Sequence, residues 1–559
     1  MHQHGLKFKL HREETEMKKL RPCLAVASLA AGLVSSVFTQ DVHAQAALGE
    51  PVPPLSVVYY AADMGPEFEQ SARALSDEWR KLGLELQMRP IQFSTFVSQI
   101  IVGGQLEDIA VFTVGGDPDR VDPTYWLYDI AACGQRRNGS KFCNQEYSRL
   151  AAEQRTKVNP AERIKAVHDL QVRFHQEMPW WPVINRVYGI IWNNQKWDNV
   201  TSPAPVAAHE SLVEPWLTAR PKTADRWLDW AYFEDVKTYN PIVEEGAVGW
   251  MRFVFDTFAK NNSKGETIPW AASSWKFVDD RTIEITMRDG MTFHDDKPVT
   301  VNDAVFTIQK IIEWQPPAMS SRIRNLASAE KIDDKSFRIR LKEPDAAFEI
   351  TVLTYLFILP EHIWRNAPAK PTEWDLVAAK AVIGSGPFKF KTWRLNEVHE
   401  LETHRAHFQA PAYDGIRRLA LGQADAIRAA MLSGTGDIAT TVLPVATMSD
   451  LAKQNSQLSF MEVPSHSTMF VWVNNQKAPF SDRAFRQALR IATNKQRVMV
   501  EGWQGFASVS GEGNVPTALG RWHNGALEKI PFDVQKARKA LADAGYGWDS
   551  RGRLHMPKK

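Results

Sequence analysis

Between Leu55 and Met88 the chain reads as strand, helix, strand within 35 residues, and no other local feature constrains the fold as much. Residues 55–60 alternate weakly and are rich in valine and tyrosine. Residues 66–82 then place Phe68, Ala72, Leu75, Trp79 and Leu82 at helical spacing and stop at Gly83. Residues 84–88 alternate again. Two strands joined by one helix call for a right-handed crossover, so they belong in a parallel sheet. A second helix is expected over 160–176, its apolar face made by Ile164, Val167, Leu170 and Phe174. Further on, 282–287 and 336–341 alternate as strands. Residues 300–314 open with Thr300 and Asp303 in a capping-box arrangement. Residues 482–494 form an amphipathic helix with Ser481 as candidate N-cap, and 533–544 form another, ended by Gly545. The reading is α/β with mixed sheets and more than one lobe. Residues 218–225, rich in proline and charge, read as a linker.

The N-terminus reads as an address. Met17-Lys18-Lys19-Leu20-Arg21 is basic, the apolar run Leu24 to Phe38 follows, and Val42-His43-Ala44 supplies small residues for a signal peptidase. That run is too short to span a bilayer comfortably. Residues 1–44 are therefore expected to be a cleavable signal peptide, with Met17 the initiator and 1–16 an over-extended start. Cys23 precedes the apolar run instead of ending it, which speaks against a lipid-modified N-terminus. Cleavage removes six of the 67 basic and four of the 65 acidic residues and leaves 61 of each. A net charge of zero argues against nucleic acid or an anionic membrane as partner. The remaining 515 residues suffice for two or more cores. Twenty tryptophans fit either an aromatic-walled cleft or packing between large cores.

Two cysteines remain, Cys133 and Cys143. An oxidising compartment favours pairing them as a disulfide, two free thiols being the other reading. No metal is expected of them, because they have no nearby histidines to complete a zinc site. His399-Glu400-Leu401-Glu402-Thr403-His404 looks like a zinc-protease motif, but its histidines are five apart instead of four and lie where alternation suggests a strand. No nucleophile elbow, P-loop or dinucleotide fingerprint occurs, so no catalytic residue, cofactor or enzymatic role is expected. The acidic cluster Asp117-Pro118-Asp119-Arg120-Val121-Asp122-Pro123 admits three readings. It lacks the glycine and distal glutamate of a calcium loop. It could be a turn with solvated charges. The third is a cleft carboxylate that receives a cationic ligand group through a charge-assisted contact.

From Trp275 onward a run of ordered motifs appears. Ala272-Ser273-Ser274-Trp275 is followed by Met287-Arg288-Asp289-Gly290, Phe293-His294-Asp295-Asp296 and Val299-Thr300-Val301-Asn302-Asp303-Ala304-Val305. Leu359-Pro360-Glu361-His362-Ile363-Trp364, Gly384-Ser385-Gly386-Pro387-Phe388 and Ser433-Gly434-Thr435-Gly436-Asp437-Ile438 come next. Asn474, Pro479-Phe480, Asp482, Arg486-Gln487-Ala488-Leu489 and finally Asp533 to Ala544-Gly545-Tyr546 close the run. In this order the chain resembles family 5 of the bacterial extracellular solute-binding proteins, which serve dipeptide, oligopeptide and related importers. Asp296, where the family often has glycine, and Thr403-His404, where it often has arginine and asparagine, depart from the pattern.

The resemblance also runs in an unexpected order. In the family the Ala-Gly-Tyr motif sits mid-chain, whereas here thirteen residues follow it. What the family carries after that motif resembles residues 55–220, including Trp79, Gly83, Asp119 to Pro123, Asn144 with Tyr147, and Arg163 to Pro179. The chain thus looks circularly permuted, with 218–225 as the rejoined original ends; a fragment of a tandem duplication is the rival explanation. The fold implied is a two-lobed periplasmic binding protein fold of type II, in its large three-subdomain variety with mixed sheets. Lobe two would comprise 45–190 and 473–559, lobe one 191–262 and 386–472, with an extra subdomain over 263–385. Residues 53–57 are then expected beside 553–556.

By resemblance, the protein would be the periplasmic, monomeric substrate-binding component of an ABC importer. It would capture a peptide or peptide-like ligand between its lobes and deliver it to an inner-membrane permease. Asp119 matches the family aspartate that pairs with the peptide ammonium; Trp126, Trp472 and Asn474 are further cleft candidates. An oligosaccharide or other small solute is the alternative cargo, and a secreted hydrolase the remote one.

Overall fold

The computed structural model describes residues 48–61, 65–115, 118–201, 214–232, 235, 236, 238–243, 248–262, 266–440 and 442–558. The export segment read over 1–44 lies outside them. β1 (Leu55–Tyr60), α1 (Pro66–Arg80) and β2 (Leu86–Ile91) form the expected unit, with Leu55 opposite Leu86 in a parallel ladder. Every side chain of β1 is buried, as a strand covered on both faces requires. α1 buries Phe68, Ala72, Leu75 and Trp79, the residues its spacing singled out. β2 starts two residues later than its alternation suggests and runs through Pro90. It is the edge of the sheet, where a missing N–H costs no ladder bond. β3 (Ile109–Val114) pairs in parallel on the other side of β1. α2 (Pro160–Glu177) is capped by Asn159, which accepts from the amides of Ala161 and Glu162, and leads into the 14-residue strand β4 (Trp180–Asn193).

The stretch 218–225 is not a bare linker. Glu214–Thr218 is a helical turn, and Arg220–Pro221 pairs with Trp197–Asp198. Its charges and its one proline, Pro221, signal exposure, which a short surface ladder tolerates. β5 (Trp227–Tyr232) follows at once. Next come β6 (Ala272–Asp279), β7 (Thr282–Met287), α3 (Val301–Trp314), β8 (Leu326–Lys331) and β9 (Ser336–Leu341). These strands make a separate antiparallel sheet, ordered β6-β7-β9-β8, with α3 packed along β8. Thr300 and Asp303 close the expected capping box.

The main sheet resumes with β10 (Phe388–Arg394), β11 (Val398–Thr403), β12 (Gly415–Ala420), β13 (Ile438–Thr440) and the 16-residue β14 (Leu458–Val473). His399 lies within β11, as its alternation implies, and pairs with Asp235, while His404 contacts the Gly386 carbonyl. α4 (Arg483–Ile491) is capped by Asp482, which accepts from the Ala484 amide, and not by Ser481. β15 (Ala507–Val509) and α5 (Val534–Asp543) complete the elements used below.

The eleven-stranded mixed sheet is ordered β10-β11-β12-β5-β13-β4-β14-β3-β1-β2, with β15 also on β4. β4 and β14 are antiparallel to each other and run through both halves of it. Their register shifts between Pro464 and Thr468, opposite Val187 and Asn185. On one side of that shift β14 pairs with β3, and on the other β4 pairs with β13.

The two ends of the described chain meet. Pro51 bridges His555 antiparallel, the Val52 amide donates to the Leu554 carbonyl at 2.9 Å, and Met556 donates to Glu50 at 2.8 Å. The proximity expected for 53–57 and 553–556 is therefore observed, with the ladder itself at 50–52. The Leu554 amide also reaches the Gly83 carbonyl at 2.9 Å, fixing this pair to the turn between α1 and β2.

Candidate ligand-binding crevice

In open α/β sheets ligands bind outside the carboxyl ends of the strands. β4 shows where those ends lie. Asn185 stands opposite Thr468, which pairs with Val114 at the carboxyl end of β3. Ile190 stands opposite Thr440, the carboxyl end of β13. The carboxyl ends of the two half-sheets therefore face one another across residues 186–189 of β4.

The wall on the β3 side is built from aromatic and polar residues. Tyr60 ends β1, donates its hydroxyl to the Thr113 carbonyl at 3.1 Å, and meets Phe68, Phe93 and Phe96 edge-on. Burial raises the Tyr60 phenol far above its ordinary value, so it stays a neutral donor. On β14 the run Ser465, His466, Ser467 and Thr468 is buried, although it is wholly polar. Two of its hydroxyls are satisfied locally: Ser467 Oγ donates to the Val114 carbonyl at 2.8 Å and Thr468 Oγ1 to Asn185 Oδ1 at 2.9 Å.

After β3 the chain makes a 3₁₀ turn, Pro118–Val121, which includes Asp119. Asp117 and the Asp119 side chain lie outside the described residues. Asp122 does not face a ligand. Its Oδ1 accepts from Arg163 Nη2 at 2.7 Å and from the Thr124 amide at 2.8 Å, and the ion-paired side chains are 2% and 5% exposed. Arg163 reaches further, donating from Nη1 to the Ala346 carbonyl at 2.9 Å, while the Ala346 amide donates to the Arg155 carbonyl at 2.7 Å. The turn is thereby tied to the segment that follows β9. Burial raises the Asp345 carboxyl at this contact above its ordinary range. Among the described residues no cluster of three or more His, Cys, Asp or Glu is arranged to hold a metal ion.

Trp126 is fully buried beneath this turn and donates Nε1 to the Arg120 carbonyl at 2.7 Å. Trp472 is fully buried against Phe112 and Trp180. Asn474 donates Nδ2 to the Leu106 carbonyl at 2.8 Å and its amide to Asp108. Since Asp108 precedes the amino end of β3, Asn474 sits at the end of that strand away from Asp119. The structure brings Trp126 to the turn and leaves Trp472 and Asn474 in the interior. Cys133 and Cys143 are joined by a disulfide.

Sequence reading missed Tyr60, the polar run 465–468 and Arg186, the one charged residue of β4. Arg186 lies on the crossing segment of β4, its guanidinium carbon 5.0 Å from the Trp503 ring centre, 5.2 Å from Tyr188 and 5.9 Å from Phe68. A lone cation in an apolar strand was the available signal.

Comparison with known proteins bears on the same chain. The family described as bacterial extracellular solute-binding proteins, family 5 Middle, matches residues 266–559. The chain belongs to this family. Over 265 residues it is 28% identical to the oligopeptide-binding protein AppA of Bacillus subtilis, covering 47% of this chain and 48% of that protein. Over 301 residues it is 25% identical to heme-binding protein A of Haemophilus influenzae, covering 50% and 54%. The chain thus spans about half the length of these curated relatives. Among solved structures, the ABC transporter substrate-binding protein CtaP of Listeria monocytogenes aligns over 58% of this chain and 66% of its own, with 20% identity and a TM-score of 0.48.

Proposed function

We propose that this family 5 protein is the substrate-binding component of an ABC importer and captures a peptide or peptide-like ligand in the crevice. The observation that carries the reading is the opposition of two sets of strand carboxyl ends across β4 and β14, with Asp119 on the adjoining turn. Two antiparallel strands crossing between half-sheets can bend where their register shifts, and bending there would open and close the crevice. Asp119 is the proposed partner of the ligand's ammonium. The names of relatives that bind oligopeptides support peptide cargo. The tryptophans give a sugar ligand little support, because Trp79, Trp126, Trp180, Trp181, Trp230, Trp364 and Trp472 are all fully buried. Delivery to a membrane permease, action in the periplasm after removal of 1–44, a monomeric state and the lack of catalysis belong to the same proposal. No described helix is long and apolar enough to cross a membrane.

The reversed motif order is best accounted for by circular permutation. Support comes from the ladder between 50–52 and 554–556 and from β1–β3 sharing one sheet with β14. On this reading residues 45–190 and 473–559 form one lobe, 191–262 and 386–472 the other, and 263–385 its extra subdomain.

Calorimetry with di- to pentapeptides, free or N-acetylated, tests the ligand assignment. Free peptides are expected to bind, and Asp119→Asn to weaken them more than about tenfold, the scale of one lost charge-assisted hydrogen bond. Equal affinity in the variant would remove Asp119 from the site. Failure of every peptide to bind would remove the cargo.

A further inference from the structure

Arg186 has an environment that its fold does not explain. Among the described residues its guanidinium makes no hydrogen bond and no ion pair, and its Nε is buried without an acceptor. A guanidinium offers five donors in a planar fork, and a partly buried one is ordinarily matched to a carboxylate or phosphate. Here three aromatic faces hold the group instead, those of Trp503, Tyr188 and Phe68. Such contacts position a cation and leave its N–H groups unsatisfied. Glu67 feels the Arg186 charge without pairing to it, and Trp503 Nε1 is already committed to Ser71 Oγ at 3.1 Å. The strand that carries Arg186 crosses between the facing carboxyl ends of β3 and β13.

We propose that Arg186, clamped on its aromatic platform, receives an anionic group of the ligand, and that this anion is a carboxylate. This rests on the crevice being the ligand site and adds a charge requirement to it. A ligand that offers an ammonium to Asp119 and a carboxylate to Arg186 is a zwitterion, and a short peptide with free ends is one. An acidic side chain would present the same chemistry as the C-terminus. The platform selects arginine over lysine, since a flat guanidinium stacks on rings and presents its fork edge-on to two carboxylate oxygens.

The test uses the whole protein and four peptides: Ala-Ala-Ala and Ala-Glu-Ala, each as free acid and as C-terminal amide. For the wild type, calorimetry is expected to show that amidation of Ala-Ala-Ala weakens binding at least about tenfold, the worth of a charge-assisted hydrogen bond. In Arg186→Gln that difference should vanish, and in Arg186→Lys part of it should remain. Recovery of affinity by Ala-Glu-Ala amide would assign the anion to a side chain, and its absence to the C-terminus. Wild-type protein that binds acid and amide equally, or Arg186→Gln that still distinguishes them, overturns the proposal. Should no peptide bind, the cargo reading falls and the arginine is judged separately. Succinate would then be titrated against the Arg186 Nε–H resonance, assigned by its loss in Arg186→Lys; a saturable shift supports the anion site, and an unmoved resonance overturns it.

Discussion

Lys495 shows how much of this protein's chemistry is decided by single buried groups. Its ammonium donates to the carbonyls of Ser510 and Gly511 at 3.3 and 3.1 Å and lies 3.4 Å from Glu512. Burial, and then the neighbouring Arg490, push it down to about 7 from an ordinary 10.5. Between those values the unfolded chain holds the proton more tightly than the folded one, so stability rises with pH across the interval. Below about 7 both states are protonated and the cost of burying the charge is fully present. Melting temperatures of the wild type and Lys495→Met should therefore diverge with pH, the wild type gaining on the variant from about pH 7 to about pH 10. A difference that does not change with pH would contradict this account. None of it was legible in the sequence. Lys495 stands there as one charge in a polar stretch, and its burial is set by Glu512 and the carbonyls of a segment seventeen residues on.

At the scale of elements, legibility follows the range of the interactions. The β1–α1–β2 unit and the α3 capping box were readable because spacing and capping act within a few residues. The proline-punctuated segment at 117–123 was readable as a turn, but the support of that turn was not. Asp122, which could equally have been a ligand carboxylate, is braced by Arg163 of α2, which also holds the Ala346 carbonyl. Both partners come from distant sequence, so no local pattern reveals them. Removing one member of a buried ion pair strands the other, which costs about 3–5 kcal/mol. Asp122→Ala should lose stability of that order in urea unfolding; a loss below about 1 kcal/mol would mean that the pair is not the brace described. The α4 cap moved from Ser481 to Asp482 for a simpler reason, since both residues suit the position and only the helix's first amides decide between them.

At the scale of the whole molecule, motif order alone suggested a permuted chain, and the ladder joining 50–52 to 554–556 supplies a physical route to one. Where two ends lie paired at a surface, joining them costs little. A variant that links residue 558 to residue 48 by a short Gly-Ser segment, and opens instead within 223–225, should fold with a melting temperature within a few degrees of the parent. Insoluble or unfolded protein would count against permutation. Sequence foresaw the mixed α/β class and the family, because those rest on element order. It did not foresee that two crossing strands set the carboxyl ends of both half-sheets face to face, since that depends on pairings across more than two hundred residues. The most direct test of the whole reading is native mass spectrometry of the protein purified from its native source. The mass added to the chain should be that of a short peptide with free ends, and a bound molecule that is not a peptide would contradict it.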